Sequence, residues 1–330
     1  MFKGLIDYLS GKRVAATLLS VLLIAAPLAA CQKDDDGDGT DSSANVSSTD
    51  EPSSSPSETD ATTTVEETTT TETTIPGIVK RADDLVLSDY DQYTNEIINW
   101  WYRRPETLGQ QNRDTIDQPV KDLVDPFRAL YQDPSEERRL YLTFDAGYEY
   151  ETNTVEILDI LAAKGVKASF FITGGYIDQS LAVVKRMLNE GHLVGNHTLN
   201  HKNPVKTLNE EGILAMARDV QDNADKFVEL TGATMPLYLR PAEGAYSEKV
   251  LAIYADMGYR AVFWDFAYRD WLVDDQPDPA ASYAQITGEL HPGAVMLLHA
   301  VSDTNVAVLG DVIDFAIAEG YSFHLVSAYP

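Results

Sequence analysis

A single cysteine, Cys31, stands in the 330 residues. No disulfide can form within the chain, so its fold has to rest on an apolar core. Basic residues are also scarce, 25 Lys and Arg against 52 Asp and Glu, for a formal net charge of −27. The excess is uneven: Met1 to Cys31 carries +2 and Gln32 to Pro76 carries −11, which leaves −18 on the remainder. A globular part this acidic repels phosphate backbones and excludes nucleic acid as a partner, while it leaves neutral glycans open. Large apolar residues are nearly missing from Gln32 to Pro76, a stretch of Ser, Thr, Asp, Glu and Pro. Such a segment cannot bury enough surface to offset its ordering entropy, and its like charges keep it extended. The roughly 250 residues beyond it suffice for a self-supporting core.

The N-terminus reads as a targeting segment. Lys3, Lys12 and Arg13 precede the apolar run Val14 to Ala30. At 17 residues this run is of signal-peptide type and at the short limit for spanning a bilayer. Leu28-Ala29-Ala30-Cys31 resembles the lipobox of bacterial lipoproteins. That resemblance implies cleavage before Cys31 and acylation of its thiol, each buried methylene contributing about 0.8 kcal/mol to anchoring. An uncleaved anchor and plain secretion stay open. The expected organisation is a lipoprotein signal over 1–31, an acidic tether over 32–80, an extension packing on the main domain over 81–138, and a catalytic domain over 139–330. The expected location is extracytoplasmic, on a membrane, with the tether supplying reach.

Pro105, Pro119, Pro126 and Pro134 break up the extension, which reads as an irregular strap. Trp100, Trp101 and Tyr102 within it are expected to pack on the core rather than to stack on sugar rings. From Arg139 onward short apolar runs alternate with amphipathic stretches. The runs are Leu140–Phe144, Ala168–Thr173, Leu193–Gly195, Leu237–Leu239, Ala261–Trp264, Val295–Leu298 and Ser322–Val326. Helices are expected over 152–164, 179–190, 209–230, 247–258, 282–291 and 305–319, with Gly165, Gly191, Gly232, Gly258 and Gly320 at C-caps. This alternation predicts an α/β fold with a parallel sheet, and seven runs favour a distorted (β/α) barrel. In barrels, chemistry gathers at the C-terminal strand ends.

Five of the seven strand ends deliver ionisable or metal-binding side chains. Asp145 closes the first run, where a turn-forming Asp is the plain alternative. His197 and His201, four apart, are read as one face of a helical turn able to grip a metal ion. Arg240 and Asp270 follow the fourth and fifth runs, and taken alone they read more often as a salt-bridge pair. His299 ends the sixth, where a satisfied core histidine is the alternative. No single position decides between these readings; their joint arrangement does.

Thr143-Phe144-Asp145, His197-xxx-His201, Arg240-Pro241, Asp270-Trp271 and Leu298 beside His299 resemble the five ordered motifs of the polysaccharide deacetylase family, carbohydrate esterase family 4. Within it the chain is most similar to the delta-lactam-biosynthetic type, which de-N-acetylates muramic acid in peptidoglycan. The resemblance implies a monomeric hydrolase that releases acetate from an amino-sugar polymer, peptidoglycan or chitin-like. It implies a divalent metal on His197 and His201, with zinc expected and cobalt or manganese as alternatives. It further implies Asp145 as general base held ionised by Arg240, and His299 as general acid oriented by Asp270. A backbone N–H near Ala242 would hold the oxyanion. Trp271 and Leu298 would line the acetyl pocket, with Tyr148 and Glu243 as further substrate contacts. Two positions depart from the family. Ala146 stands where the third metal ligand, an Asp, is usual, and Glu243 stands where many relatives carry an aromatic or basic residue. Three states of the site stay open: a metal on two His with water, Asp145 recruited as a ligand, or a metal-poor site. The alternative functions are a catalytically weak carbohydrate-binding lipoprotein and an O-acetyl or acetyl-xylan esterase.

Overall fold

Among the described residues nine strands follow one another: β1 (Ile98–Asn99), β2 (Arg139–Ala146), β3 (Ser169–Ile172), β4 (Leu193–Asn196), β5 (Tyr238–Leu239), β6 (Ala245–Tyr246), β7 (Arg260–Ala261), β8 (Ala294–His299) and β9 (Ser322–Phe323). They belong to a computed structural model that describes residues 80–110 and 113–330. The signal, Cys31 and nearly all of the tether lie outside the described residues. Eight α-helices accompany the strands among the described residues: α1 (Gln118–Val124), α2 (Asn153–Lys164), α3 (Gly174–Asn189), α4 (Pro204–Glu211), α5 (Ile213–Thr231), α6 (Glu248–Asp256), α7 (Pro279–Glu289) and α8 (Asp303–Ala318). None of the described helices is long and apolar enough to cross a membrane.

The main sheet runs β7-β5-β4-β3-β2-β8, with β9 beside the start of β2, and every pairing in it is parallel. Its two ends approach each other. Beyond β7 the chain forms a parallel bridge from Phe266 to Met296 of β8, and Leu130 and Gln132 bridge Val262 and Ala294. The result is the expected distorted barrel, curled and sealed by strap residues along its open seam.

Alternation along β2 sorts its side chains into two layers. Leu140, Leu142, Phe144 and Ala146 join the core beneath α2, α3 and α8. Tyr141 packs with Phe171, Tyr238, Val262 and Val295 in a separate inner cluster. Thr143 and Asp145 share that inner parity. With both faces covered, the strand is buried from Leu140 to Ala146.

Several boundaries move from expectation, each for a local reason. The helix expected over 209–230 is two helices, because Gly212 sits at φ 93°, ψ 173° between α4 and α5. The first of them starts at Pro204, with the Asn203 side chain accepting from the Lys206 N–H. The helix expected from 179 begins at Gly174, because Thr173 caps it, and it carries a kink at Ser180. The one expected over 282–291 lies at Pro279–Glu289, capped by Asp278. All five expected C-cap glycines have positive φ.

The strap packs as expected at Trp100, which stacks on Phe263 at 4.2 Å and donates Nε1–H to the Trp264 carbonyl at 2.7 Å. The Tyr102 hydroxyl donates to the Ala267 carbonyl at 2.6 Å. Trp101 differs, with 50% of its surface exposed.

Candidate active site

Asp145 and His299 are register partners at the C-terminal ends of the adjacent parallel strands β2 and β8. Equal register on neighbouring strands puts both on the inner face, side by side at the mouth of the barrel. The loops after β4, β5 and β7 bring further side chains to the same mouth. Asp145, Tyr148, His197, His201, Glu243, Trp271 and His299 line one cleft. Arg240 and Asp270 stand directly behind Asp145 and His299, fully buried. Ala242 is buried beside the cleft wall that Glu243 and Gly244 form.

Leu298 requires a correction. It faces the outer core with Leu142 and Met296, and the cleft is lined by Leu297. Strand parity explains this, because Leu297 and His299 are two apart and share a face while Leu298 points away. Trp264, Tyr268 and Val301 also line the cleft without having been expected there.

The Arg240 guanidinium is fully buried and each of its nitrogens has an acceptor. Nη1 donates to Asp145 Oδ1 at 2.7 Å, Nη2 to Thr143 Oγ1 at 2.8 Å, and Nε to the Val262 carbonyl at 3.2 Å. Its plane lies over the Phe171 ring, 4.3 Å from the centroid. Burial alone would raise the Asp145 carboxyl, but the charge of Arg240, then those of His197 and His299, outweigh it and hold the carboxyl below its ordinary value. Asp145 is therefore an ionised carboxylate with one oxygen fixed and the other free toward the cleft.

His197 and His201 do come together, with ring centroids 4.7 Å apart, but not on a helical turn. The segment after β4 is a loop with Thr198 at φ 65° and His201 at φ 52°. Side chains stand in for helical hydrogen bonds there. Asn196 Oδ1 accepts from the Thr198 N–H at 2.8 Å, Thr198 Oγ1 accepts from the His201 N–H at 3.0 Å, and Asp219 Oδ1 accepts from the Asn200 N–H at 3.1 Å. Short polar side chains that bond their own backbone compete with helix, and they win here. His197 Nδ1–H donates to the Arg240 carbonyl at 2.8 Å, so Nε2 carries the lone pair. Burial pushes His197 down to about 4, against the raising charge of Asp145, and the ring is neutral at pH 7. A neutral imidazole whose far nitrogen is tied to a carbonyl is the form that binds metals.

The His197 and His201 rings lie side by side and offer nitrogen donors to a divalent cation. Ala146 contributes no donor and its methyl packs in the outer core. Glu149 is also unavailable, since it accepts from the Thr154 N–H at 3.0 Å and the Tyr176 hydroxyl at 2.7 Å. Among the described residues no three His, Cys, Asp or Glu side chains form a closed metal cage. A further donor close by is Asp145 Oδ2, 3.4 Å from His197 Nε2. That distance is long for a hydrogen bond and is about the separation of two ligands on one tetrahedral zinc.

On the other wall, His299 Nδ1–H donates to Asp270 Oδ1 at 2.7 Å, and the His299 N–H donates to Oδ2 at 2.8 Å. Asn305 Nδ2 donates to Asp270 Oδ2 at 2.7 Å and to the His299 carbonyl at 3.0 Å. Asn305 was not expected from the sequence, where its one signal is the Ser302 cap three residues earlier. Burial lowers the His299 imidazole, but the charge of Asp270 and its hydrogen bond, then the charge of Asp145, raise it to a net upward shift. With Nδ1 committed, Nε2 is the nitrogen left to exchange a proton with the cleft.

Residues 132–262 match the model of the polysaccharide deacetylase family. The chain is 36% identical over 234 residues to the peptidoglycan-N-acetylmuramic acid deacetylase PdaA of Bacillus subtilis, covering 69% of this chain and 84% of that one. It is 29% identical over 212 residues to a peptidoglycan-N-acetylglucosamine deacetylase of Bacillus cereus, covering 63% of this chain and 95% of that one. The solved structure of Bacillus subtilis PdaA, a family 4 carbohydrate esterase, matches with a TM-score of 0.65 at 32% identity, over 72% of this chain and 97% of that one.

The His299–Asp270 pair has a titration consequence. Asp270→Asn removes the main raising influence and leaves burial opposed by the charge of Asp145, so the His299 pKa is expected to fall. An NMR titration of the ring measures it, and an unchanged midpoint would contradict the assignment. Stability follows the same sign. A raised folded pKa contributes stability that is present below about pH 6.5 and is lost as pH rises through the folded value. The variant should lack that alkaline loss.

Proposed function

The chain belongs to the polysaccharide deacetylase family, and from that premise we propose that it removes N-acetyl groups from the amino sugars of peptidoglycan with Asp145 as general base and His299 as general acid. It is a hydrolase of carbon–nitrogen bonds other than peptide bonds. The observation that carries the assignment of roles is the register pairing of Asp145 with His299, the first held ionised by a buried Arg and the second biased to its protonated form by a buried Asp.

Asp145 Oδ2 takes a proton from water as the water oxygen adds to the acetamide carbon. The C–N bond then breaks, acetate leaves, and His299 Nε2 delivers a proton to the departing nitrogen. An amine leaves poorly unless protonated, so a histidine biased toward its protonated form suits an amide better than an ester, whose leaving alkoxide is less basic. That favours the de-N-acetylase over the O-acetyl esterase. The backbone N–H near Ala242 is assigned to the oxyanion and Leu297 to the acetyl methyl. Tyr148 and Trp271, 43% and 48% exposed, flank the cleft as faces for sugar rings. Deacetylases of this family are generally metalloenzymes. We assign the metal, zinc in the first instance, to His197 and His201; when bound it polarises the carbonyl and lowers the pKa of water.

We also place the enzyme outside the cytoplasm, tethered by acylated Cys31 through the acidic 32–80 segment. The basic n-region, the apolar run and the Leu28–Cys31 box support this. Cys31→Ser should then move the protein from the membrane to the soluble fraction on cell fractionation, and unaltered membrane retention would exclude the lipid anchor.

Acetate release from peptidoglycan by zinc-supplemented protein is the direct test of the activity. Asp145→Asn is expected to lower kcat by about 10²–10⁴-fold, the usual contribution of a positioned base. Dialysis against a chelator should abolish release and added zinc restore it, with metal content dropping in His201→Ala. Release that survives both chelation and Asp145→Asn would refute the assignment.

A further inference from the structure

Glu243 is the charged side chain in the cleft that this chemistry leaves unused. The other rim charges are paired, Lys226 with Asp178 at 2.6 Å and Arg269 with Asp275. Asp145 is paired with Arg240. Glu243 has no ion-pair partner among the described residues, although it is exposed on the cleft wall. Its one hydrogen bond there is accepted by Oε2 from the neutral Asn203 amide at 2.8 Å, which leaves Oε1 to an incoming donor.

The carboxylate is held in place rather than carried on a loose loop. Glu243 sits at φ 61°, ψ 5°, a left-handed conformation that residues with a Cβ adopt only when their surroundings impose it. Next to it, Gly244 has φ 62°, and a Cβ there would lie 2.7 Å from Trp264 Cη2 and 3.2 Å from Trp100 Cβ. The Trp100 N–H donates to the Gly244 carbonyl at 2.8 Å, and β1 pairs with β6 just beyond. The strap therefore pins the turn from outside, and Asn203, two residues past His201, pins its side chain from inside the cleft.

A fixed negative charge between low-dielectric walls attracts cations and repels anions at that place. We propose that Glu243 receives a primary ammonium group of the substrate beside the acetamide being cut. The enzyme then prefers amino-sugar chains that carry a free amine and disfavours chains that put a carboxylate there. This deepens the de-N-acetylase reading and rests on it. The amine has two possible sources with the same chemistry, a neighbouring sugar already deacetylated or an amino group on a peptide stem.

The test uses the full chain loaded with zinc and four substrates. They are N-acetylglucosamine pentamer, the same pentamer with one free amine, peptidoglycan strands with stems, and strands stripped of stems so that the lactyl carboxylate is free. In about 10 mM salt the amine-bearing pentamer is expected to be favoured about fivefold in kcat/KM, through KM, with the ratio approaching one in about 0.5 M salt. Glu243→Gln should bring the ratio to one at low salt as well. Preference for stemmed over stripped strands that is lost when the stem amines are acetylated assigns the amine to the peptide; preference confined to the pentamers assigns it to the sugar. A ratio of one in the unaltered protein, or one unchanged by Glu243→Gln, overturns the proposal. So does a loss of bound zinc in Glu243→Gln, which would make the residue a ligand. Calorimetric binding of the two pentamers gives the same ratio without turnover. Absence of acetate from every substrate would sink the de-N-acetylase reading, while the binding ratio would still decide the role of Glu243.

Discussion

A guanidinium with no exposed surface organises this barrel. Arg240 enters from β5, crosses to Asp145 and Thr143 on β2, and reaches back to Val262 beyond β7. Its main chain does as much, since its N–H donates to the Asn196 carbonyl and its own carbonyl accepts from His197. One residue thus fixes the ionisation of the Asp145 carboxyl, the position of its free oxygen and the tautomer of His197. A buried ion pair is weak evidence for stability, because desolvating both charges offsets much of their attraction. Its value here is geometric. Removing the guanidinium would leave an uncompensated carboxylate in the core, which typically costs about 3–5 kcal/mol.

The opposite wall repeats the design with the signs exchanged. Asp270 is the buried partner and His299 the group facing the cleft, and Asn305 satisfies the second carboxylate oxygen. Two neighbouring strands in register therefore present a depressed carboxyl and a raised imidazole, each supported from behind. Environments that push two titratable groups apart in this way are what the proposed division into base and acid requires.

Much of this was legible in the sequence because barrels concentrate chemistry where apolar strands end, and the ends at Asp145, Arg240, Asp270 and His299 could be read directly. What was not legible depended on which way a side chain points. Leu297 and Leu298 are identical in type, and only strand parity, set by pairing with β2, tells which one faces the cleft. The His197–His201 spacing imitates a helical turn, whereas Asn196, Thr198 and Asp219 impose a loop by side-chain hydrogen bonds to its backbone. The Asn203–Glu243 contact joins positions forty apart and has no local signature. The break at Gly212 was readable in principle, but the amphipathic pattern continues across it and hides the interruption.

The central claim is that Asp145 is ionised at working pH because Arg240 is buried against it. Carbonyl-carbon NMR of the Asp145 carboxyl, assigned by its loss in Asp145→Asn, tests this most directly. The account predicts an ionised carboxylate throughout a titration from about pH 8 to about pH 4.5, above the ordinary aspartate value of about 3.9. A protonation step within that range would show that burial dominates Arg240, and would contradict the account.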